Sequence, residues 1–119
     1  ISDGRFHSPH LISIFKSVAN TNDIPFVTGN YCWTLGPMYE TPAEIKYLRS
    51  LNGSAVGMST LPEIEEAGSL GLNVLTISVL TNFAAGISDQ SLTHDEVLLN
   101  AERSKDKMIK ILSGIIQRI

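Results

Sequence analysis

The sequence predicts an α/β fold with parallel neighbouring strands, because strand and helix patterns alternate along the chain. Three segments carry a helix-start signal in which Thr is followed three residues later by Glu. Short apolar segments rich in Val, Ile and Thr lie between these helix starts. Strands that are apolar on both faces are typical of sheets covered on both sides, so helices are expected on both faces of the sheet.

The predicted elements begin with a helix at Ser8, followed by Pro9, which suits the first helical turn. Its apolar face consists of Leu11, Ile12, Phe15, Val18 and Ala19. Residues with this spacing share one side of a helix. The next segment, 25–35, is rich in Phe, Val, Thr, Tyr and Trp and is predicted as a strand with a break near Gly29.

Helix and strand continue to alternate through the middle of the chain. A second helix is predicted from Thr41 to about residue 51, and a short apolar strand follows at 54–58. A third helix is predicted at 60–68, where Thr60 and Glu63 form a capping-box pattern. A strand that is apolar on both faces is predicted at 73–80.

A long C-terminal helix is predicted to begin at a third capping box, formed by Thr93 and Glu96. Its apolar stripe consists of Val97, Ala101, Met108, Leu112, Ile115 and Ile119. The segment before it, 86–91, is predicted to be an exposed loop that could cover a site.

Composition argues against several classes of function. The 119 residues suit one domain, and a hydrophobic content of 43% is that of a globular protein. The formal charge of −3 and the dispersed basic residues argue against a nucleic-acid partner, and no apolar segment is long enough to span a bilayer. Cys32 is the only cysteine, which agrees with a cytoplasmic setting. The histidines and Cys32 lack metal-ligand spacing, so no metal site is predicted.

Segment 36–44 carries the strongest functional signal. Glu40 directly precedes the helix start at Thr41, where a carboxylate is stabilised by the helix dipole. There it can accept hydrogen bonds from ring N–H groups of a planar ligand, on which Tyr39 can stack. The alternative is that Glu40 only complements the charge of the helix start and that Tyr39 belongs to the core. Spacing alone favours this alternative.

Polar residues also follow the other predicted strands. Ser59 precedes a helix start whose free N–H groups suit phosphate, whereas Asn82 can donate and accept beside a ring carbonyl. His94 lies in the first turn of the last helix and could bind a sugar hydroxyl. A structural turn is the more frequent role for Ser59 and Asn82, and a solvent-facing role for His94 is as frequent as binding. Parallel strands end at one edge, so Glu40, Ser59 and Asn82 are expected to converge there.

Five motifs, in order along the chain, resemble the trimeric purine nucleoside phosphorylases in their C-terminal part. They are Gly29-Asn30-Tyr31, Gly36-Pro37-Met38-Tyr39-Glu40-Thr41, Ala55-Val56-Gly57-Met58-Ser59-Thr60-Leu61-Pro62-Glu63, Thr81-Asn82 and His94-Asp95-Glu96-Val97. The resemblance implies that residues 1–119 are the C-terminal portion of a single domain. It also implies a phosphorylase-type mixed sheet flanked by helices, and a homotrimer.

The resemblance further implies reversible phosphorolysis of 6-oxopurine nucleosides, such as inosine and guanosine, in purine salvage. Phosphate is then a co-substrate, and no metal or organic cofactor is implied. Glu40 and Asn82 would hold the base, His94 would face the ribose 5′-hydroxyl as a third catalytic residue, and Ser59 would bind phosphate. The remaining substrate-binding positions implied by the resemblance are Tyr31, Tyr39, Val56, Gly57, Met58 and Thr81.

Other functions remain open at this point. The related methylthioadenosine phosphorylases favour 6-aminopurines and carry Asp at the position of Asn82, so Asn82 favours the 6-oxopurine branch. A xanthosine-preferring or methylthioadenosine-type phosphorylase is the second enzymatic alternative. The family's N-terminal part carries a Gly-rich phosphate loop and further phosphate ligands, for which the chain has no substitute. The chain alone is therefore expected to be inactive. The alternative from another class is a non-catalytic fragment that binds purine weakly or only oligomerises.

Overall fold

The structure, a computed structural model, describes residues 6–88 and 94–119. The elements, in chain order, are α1 (Pro9–Thr21), β1 (Asn30–Trp33), α2 (Pro42–Ser50), β2 (Gly53–Gly57), α3 (Leu61–Ser69) and α4 (His94–Ile116). This alternation confirms the predicted α/β class. Among these residues, no helix combines the length and the apolar character needed to cross a membrane.

The chain divides into two compact units. The first unit combines Ile1–Val27, Leu61–Ser78 and Arg103–Ile119, and the second combines Thr28–Thr60 and Val79–Glu102. All the site residues proposed from the sequence belong to the second unit. That the chain is a portion of a single domain stays a prediction.

The core of the first unit is formed by α1 and the C-terminal part of α4. Val18 is completely buried and clusters with Ile14, Ile111 and Ile115. Partly buried side chains pack against this cluster from Leu11, Phe15, Ile24, Leu75 and Ile77. A Cβ added to Gly114 would lie 2.6 Å from Cγ1 of Val18, so the glycine permits close approach of the two helices.

α1 begins as the sequence predicts. Ser8 is the N-cap, and its hydroxyl accepts a hydrogen bond from the Leu11 N–H at 3.3 Å. A side-chain acceptor at this position satisfies one of the unpaired N–H groups of the first helical turn. Val18 and Ala19 of the predicted apolar face are buried, but so is Ile14, which that face omitted.

The predicted apolar stripe of α4 is only partly right. Ile115 is buried and Met108 is half-buried, whereas Leu112 is 47% and Ile119 72% exposed. Ile111, which the stripe omitted, is 4% exposed. Ala101 of the predicted stripe is also exposed. The buried face therefore runs through positions three and four residues apart, which is the spacing of one side of a helix.

The predicted strand at 73–80 is wrong for the described part of the chain. Val74 forms an isolated parallel bridge with His7, and its carbonyl accepts from the Ser8 N–H at 2.8 Å. A strand requires a ladder of hydrogen bonds to a neighbour, and the rest of 73–80 has no such ladder among the described residues. Two of its apolar side chains nevertheless pack on the core of the first unit. The apolar pattern thus predicted sheet pairing incorrectly and burial only in part, because Leu75 and Ile77 are partly buried whereas Val79 is 37% and Leu80 63% exposed.

The second unit contains a two-stranded parallel sheet of β1 and β2. Tyr31 pairs with Ala55, and Trp33 pairs with Gly57. Parallel strands require a crossover connection, which α2 provides between them. The strand predicted at 25–35 is limited to the four residues of β1, which begin at the predicted break. The predicted strand at 54–58 is confirmed, shifted by one residue.

α2 begins with the predicted capping box. The Thr41 hydroxyl accepts from the Glu44 N–H at 3.3 Å, and the Glu44 carboxylate accepts from the Thr41 N–H at 2.7 Å. The backbone hydrogen bond and then the side-chain hydrogen bond from Thr41 lower the pKa of Glu44 from its ordinary value. Both bonds favour the ionised carboxylate, so the helix start carries a fixed negative charge near neutral pH.

α3 begins close to the predicted residue, but not with the predicted capping box. Thr60 has a φ of 84°, whereas an N-cap residue is extended. Its hydroxyl lies 3.2 Å from the Ser59 hydroxyl. The Thr-x-x-Glu pattern is local, and it does not reveal the backbone conformation that the chain adopts on leaving β2. The capping box predicted for Thr93 and Glu96 lies outside the described residues and side chains.

Candidate functional site

The candidate site lies where β1 and β2 end. Both strands run in the same direction, so the segments that follow them leave the sheet at the same edge. The Tyr31 hydroxyl donates to the Ser59 carbonyl oxygen at 3.0 Å, and the Thr34 N–H donates to the Gly57 carbonyl oxygen at 3.0 Å. These bonds join the two segments and bring together several of the predicted site residues.

The Tyr31 side chain lies so close to residue 57 that only glycine fits there. A Cβ added to Gly57 would lie 2.3 Å from the Tyr31 hydroxyl oxygen, closer than real side chains approach. Any larger residue would displace the Tyr31 ring end and break its hydrogen bond to Ser59. Gly57 therefore contributes to the site by leaving space rather than by binding.

Glu40 is held by a residue that the sequence analysis did not select. The Thr34 hydroxyl donates to Glu40 Oε1 at 2.5 Å, and both side chains are half-buried. Oε2 of Glu40 has no hydrogen-bond partner among the described residues. The carboxylate thus has one oxygen anchored to the end of β1 and one oxygen available as an acceptor. Thr34 precedes the turn that leads to Glu40. A hydroxyl side chain at such a position is the sequence signal by which Thr34 could have been found.

Apolar and aromatic side chains beside Glu40 are open to solvent. Tyr39 is 52% exposed and Met58 is 37% exposed, whereas Val56 is half-buried in β2. The alternative in which Tyr39 belongs to the core is therefore wrong for this chain. An exposed aromatic ring next to an acceptor carboxylate is an arrangement that can bind a flat ligand bearing N–H groups.

Ser59 and Thr60 form a pair of hydroxyls after β2. Ser59 is exposed, and α3 begins two residues later. A φ of 84° is rare for a β-branched residue such as Thr60. Strained backbone of this kind is concentrated at functional sites. The structure therefore places hydrogen-bonding groups suited to an oxyanion at this turn.

The Asn82 amide is restrained by local hydrogen bonds. Its Oδ1 accepts from the Thr81 hydroxyl at 2.6 Å, and its Nδ2 donates to the Phe83 carbonyl oxygen at 3.0 Å. Asn100, which the sequence analysis missed, donates from Nδ2 to the Thr81 carbonyl oxygen at 2.6 Å. Asn100 lies outside the apolar stripe predicted for this helix and belongs to no motif, so no sequence signal pointed to this bond.

No hydrogen bond joins Asn82 to Glu40 or Ser59 among the described residues. The chain just after Asn82 nevertheless packs against the start of α2. A Cβ added to Gly86 would lie 2.9 Å from Cβ of Pro42, the first residue of that helix. This approach involves Gly86 and Pro42 and not Asn82 itself, so the convergence of Asn82 with Glu40 and Ser59 stays a prediction.

A shallow groove of about 410 Å³ lies along α2, outside the predicted site. It is lined by Pro42, Ile45, Lys46, Arg49, Ala85, Gly86 and Ile87. None of the predicted site residues lines it. Its apolar floor and its two basic side chains resemble an ordinary amphipathic surface of a helix.

Some predicted features lie at the limit of the described residues. His94 is the first residue of α4, and its side chain lies outside the described part of the structure. The predicted loop at 86–91 is described only for residues 86–88, which are exposed. Within 6–88 and 94–119, no group of three or more His, Cys, Asp or Glu side chains is placed to hold a metal ion.

The sequence profile of the Phosphorylase superfamily matches residues 4–117. The chain belongs to the phosphorylase superfamily. Purine nucleoside phosphorylase 1 of Bacillus subtilis (strain 168) is 44% identical over 106 residues, which cover 89% of this chain and 39% of that relative. The 6-oxopurine nucleoside phosphorylase of Pyrococcus furiosus is 33% identical over 114 residues, which cover 95% of this chain and 43% of the relative.

The fold of this superfamily chain is also similar to a solved structure. The crystal structure of Schistosoma mansoni purine nucleoside phosphorylase in complex with inosine has a TM-score of 0.91 and 31% identity, over 98% of this chain and 42% of the other. The resemblance to purine nucleoside phosphorylases and the phosphorylase-type fold are therefore confirmed. The chain spans less than half the length of the relatives it matches.

Proposed function

We propose that the protein carrying this chain is a purine nucleoside phosphorylase that cleaves 6-oxopurine nucleosides, such as inosine and guanosine, with phosphate. The observation that supports this most is the Glu40 carboxylate, anchored through Oε1 beside the exposed ring of Tyr39. A carboxylate with one free oxygen accepts the ring N–H that a 6-oxopurine carries next to its carbonyl. Homology to enzymes named for this substrate class supports the same conclusion.

Base recognition involves Glu40, Tyr39 and Asn82. Glu40 Oε2 accepts the ring N–H, while the Tyr39 ring packs against the base. The Asn82 amide uses one N–H for the Phe83 carbonyl and keeps the second for an acceptor on the ligand. Donation from Asn82 to the purine becomes stronger as negative charge develops on the leaving base, which lowers the barrier.

In the proposed reaction, an oxygen of hydrogen phosphate attacks the anomeric carbon of the ribose, and the bond from that carbon to the purine nitrogen breaks. The bonding electrons leave with the purine, whose ring nitrogen takes up one proton, and the phosphate gives up one proton as it becomes an ester. The products are the free base and ribose 1-phosphate. Ser59 donates its hydroxyl to phosphate, beside the Thr60 hydroxyl. Tyr31 and His94 face the ribose, and Tyr31 keeps a free lone pair for a sugar hydroxyl. Phosphate is the co-substrate, and the mechanism needs no metal or organic cofactor.

The remaining site and assembly features are part of the same proposal. Further phosphate ligands come from polypeptide beyond this chain, which spans 39% of its Bacillus subtilis relative. The active protein is a cytoplasmic homotrimer that acts in purine salvage. Large apolar side chains are exposed in both units, including Val27 at 81%, Leu35 at 82% and Met38 at 80%. Surface of this kind supports association with further polypeptide.

The natural protein that carries this sequence tests the proposal directly. Incubation with inosine is expected to release hypoxanthine only when inorganic phosphate is present, with ribose 1-phosphate formed in equal amount. Liquid chromatography of the base and intact mass of the same sample provide the measurement. Release without phosphate would indicate a hydrolase. A 13.0 kDa species without turnover would favour the non-catalytic fragment.

Asn82→Asp is expected to shift the substrate preference from inosine toward adenosine. A carboxylate accepts but does not donate, so it loses the bond to a 6-oxo group and gains one to a 6-amino group. We expect the ratio of kcat/KM for inosine to that for adenosine to fall by about 10- to 100-fold, or roughly 1.4–2.8 kcal/mol. The same substitution at the exposed Asn52 is the matched control for added charge. An unchanged ratio would remove Asn82 from base recognition.

A further inference from the structure

Thr34 connects the end of the sheet to the Glu40 carboxylate. Its N–H donates to the Gly57 carbonyl oxygen at 3.0 Å, which extends the pairing of β1 and β2 by one residue. Its hydroxyl donates to Glu40 Oε1 at 2.5 Å. Backbone and side chain of one residue therefore hold the carboxylate at a defined position relative to the strands.

Within residues 6–88 and 94–119, the bond from Thr34 is the hydrogen bond that holds the Glu40 side chain. The preceding side chains of Met38 and Tyr39 are 80% and 52% exposed, so they pack weakly around the turn. A glutamate side chain has several rotatable bonds, whereas a β-branched Thr is stiff about its first side-chain torsion. A hydrogen bond from Thr34 therefore restricts Glu40 more effectively than a bond from a flexible side chain would.

The bond also makes the two carboxylate oxygens unequal. Oε1 already accepts the Thr34 proton, whereas Oε2 has no partner among the described residues. A base edge with a single N–H donor, as in hypoxanthine, needs only Oε2. An edge with a ring N–H and a neighbouring amino group, as in guanine, presents two donors and uses both oxygens side by side.

We propose that Thr34 is a positioning and specificity-determining residue. Its hydrogen bond already draws on Oε1 of Glu40 and makes that oxygen a weaker acceptor for a second donor, which favours purine bases with one donor on this edge over bases with two. This inference rests on the proposed function, since it assumes that Glu40 accepts from the base. It assigns a role to a residue whose hydrogen bonds, in the described part of the chain, go to Glu40 and to Gly57 of β2.

Thr34→Val tests the inference in the natural protein, because valine keeps the branched shape and removes the hydroxyl. We expect the affinity for hypoxanthine, measured by calorimetry, to fall by about fivefold, which corresponds to one lost hydrogen bond. The affinity for guanine is expected to fall less, because Oε1 without the Thr34 bond is a stronger acceptor for the amino group of guanine. The guanine-to-hypoxanthine affinity ratio is therefore expected to rise by about threefold or more, and kcat/KM for guanosine against inosine to follow it.

Two further variants complete the experiment. Thr34→Ser keeps the hydroxyl and is expected to retain the parental affinity ratio within about twofold. Thr28→Val makes the same change at an exposed threonine of the same unit and is the matched control. If Thr34→Val weakens both bases equally, or Thr34→Ser behaves like the valine variant, the inference is wrong while the proposed function stands. A parent protein that binds neither base and cleaves neither nucleoside would overturn both.

Discussion

Replacing Glu40 with Ala is expected to reduce kcat/KM for inosine by about 100- to 1,000-fold, or roughly 3–4 kcal/mol of transition-state stabilisation. The carboxylate is half-buried and already anchored by Thr34. Its orientation therefore does not have to be fixed at the cost of binding energy when the base binds. Its removal eliminates a charged acceptor and leaves the Thr34 hydroxyl without its partner. Steady-state phosphorolysis of inosine at saturating phosphate measures the loss.

Glu65→Ala is the matched control for the Glu40 variant. Glu65 is an exposed glutamate on α3, in the other compact unit, so its truncation removes the same charge without touching the site. We expect its kcat/KM to stay within about twofold of the parent, as is usual for exposed positions away from specific contacts. If Glu40→Ala and Glu65→Ala both retain near-parental activity, Glu40 does not recognise the base.

Ile111→Ala is expected to lower the free energy of unfolding by about 2–4 kcal/mol. Ile111 is 4% exposed and belongs to the cluster around Val18, the fully buried residue at the centre of the first unit. The substitution removes the favourable free energy of transferring the deleted methyl and methylene groups from water into the core. It also leaves a cavity between α1 and α4. Urea denaturation followed by circular dichroism measures the change.

Leu112→Ala distinguishes the observed buried face of α4 from the predicted one. Leu112 belongs to the stripe predicted from the sequence, yet it is 47% exposed. Its truncation is expected to cost less than about 1 kcal/mol, since half of the side chain is already in contact with water. A larger loss for Leu112→Ala than for Ile111→Ala would show that the predicted stripe, and not the observed one, faces the core.

Helix starts were the part of the fold most accurately predicted from the sequence. Ser8 caps α1, and Thr41 with Glu44 forms the capping box of α2, as their patterns indicate. These signals depend on residues three positions apart, so the information lies within one helical turn. Thr60 is the exception, because its left-handed backbone prevents the cap that its side chain could otherwise provide.

Strand pairing was predicted less well, for a physical reason. An apolar segment such as 73–80 indicates side chains that pack against the protein, but a strand also needs a neighbour for its N–H and C=O groups. That neighbour is distant in sequence, and no local pattern identifies it. The same limit applies to 25–35, where only the four residues of β1 find partners in β2.

The sequence analysis selected the main side chains of the candidate site. It did not select the residues that hold those side chains in place. Glu40 and Ser59 follow β1 and β2 at the end of the sheet, where they were expected. Thr34 and Asn100 were missed because each acts through a hydrogen bond to another residue, the first to Glu40 and the second to the Thr81 carbonyl. Such supporting contacts depend on the path of the backbone, which residue type alone does not predict.

The crossover between β1 and β2 has a consequence for the order in which the site folds. Thr34 and Glu40 are six residues apart, whereas Tyr31 and Ser59 are 28 residues apart. The entropic cost of closing a loop rises with its length, and non-local parallel pairing is slow. The anchored carboxylate can therefore form early, within one turn of the chain. The bond between Tyr31 and Ser59 can form only after the two strands have met, so we expect it to form later than the anchored carboxylate.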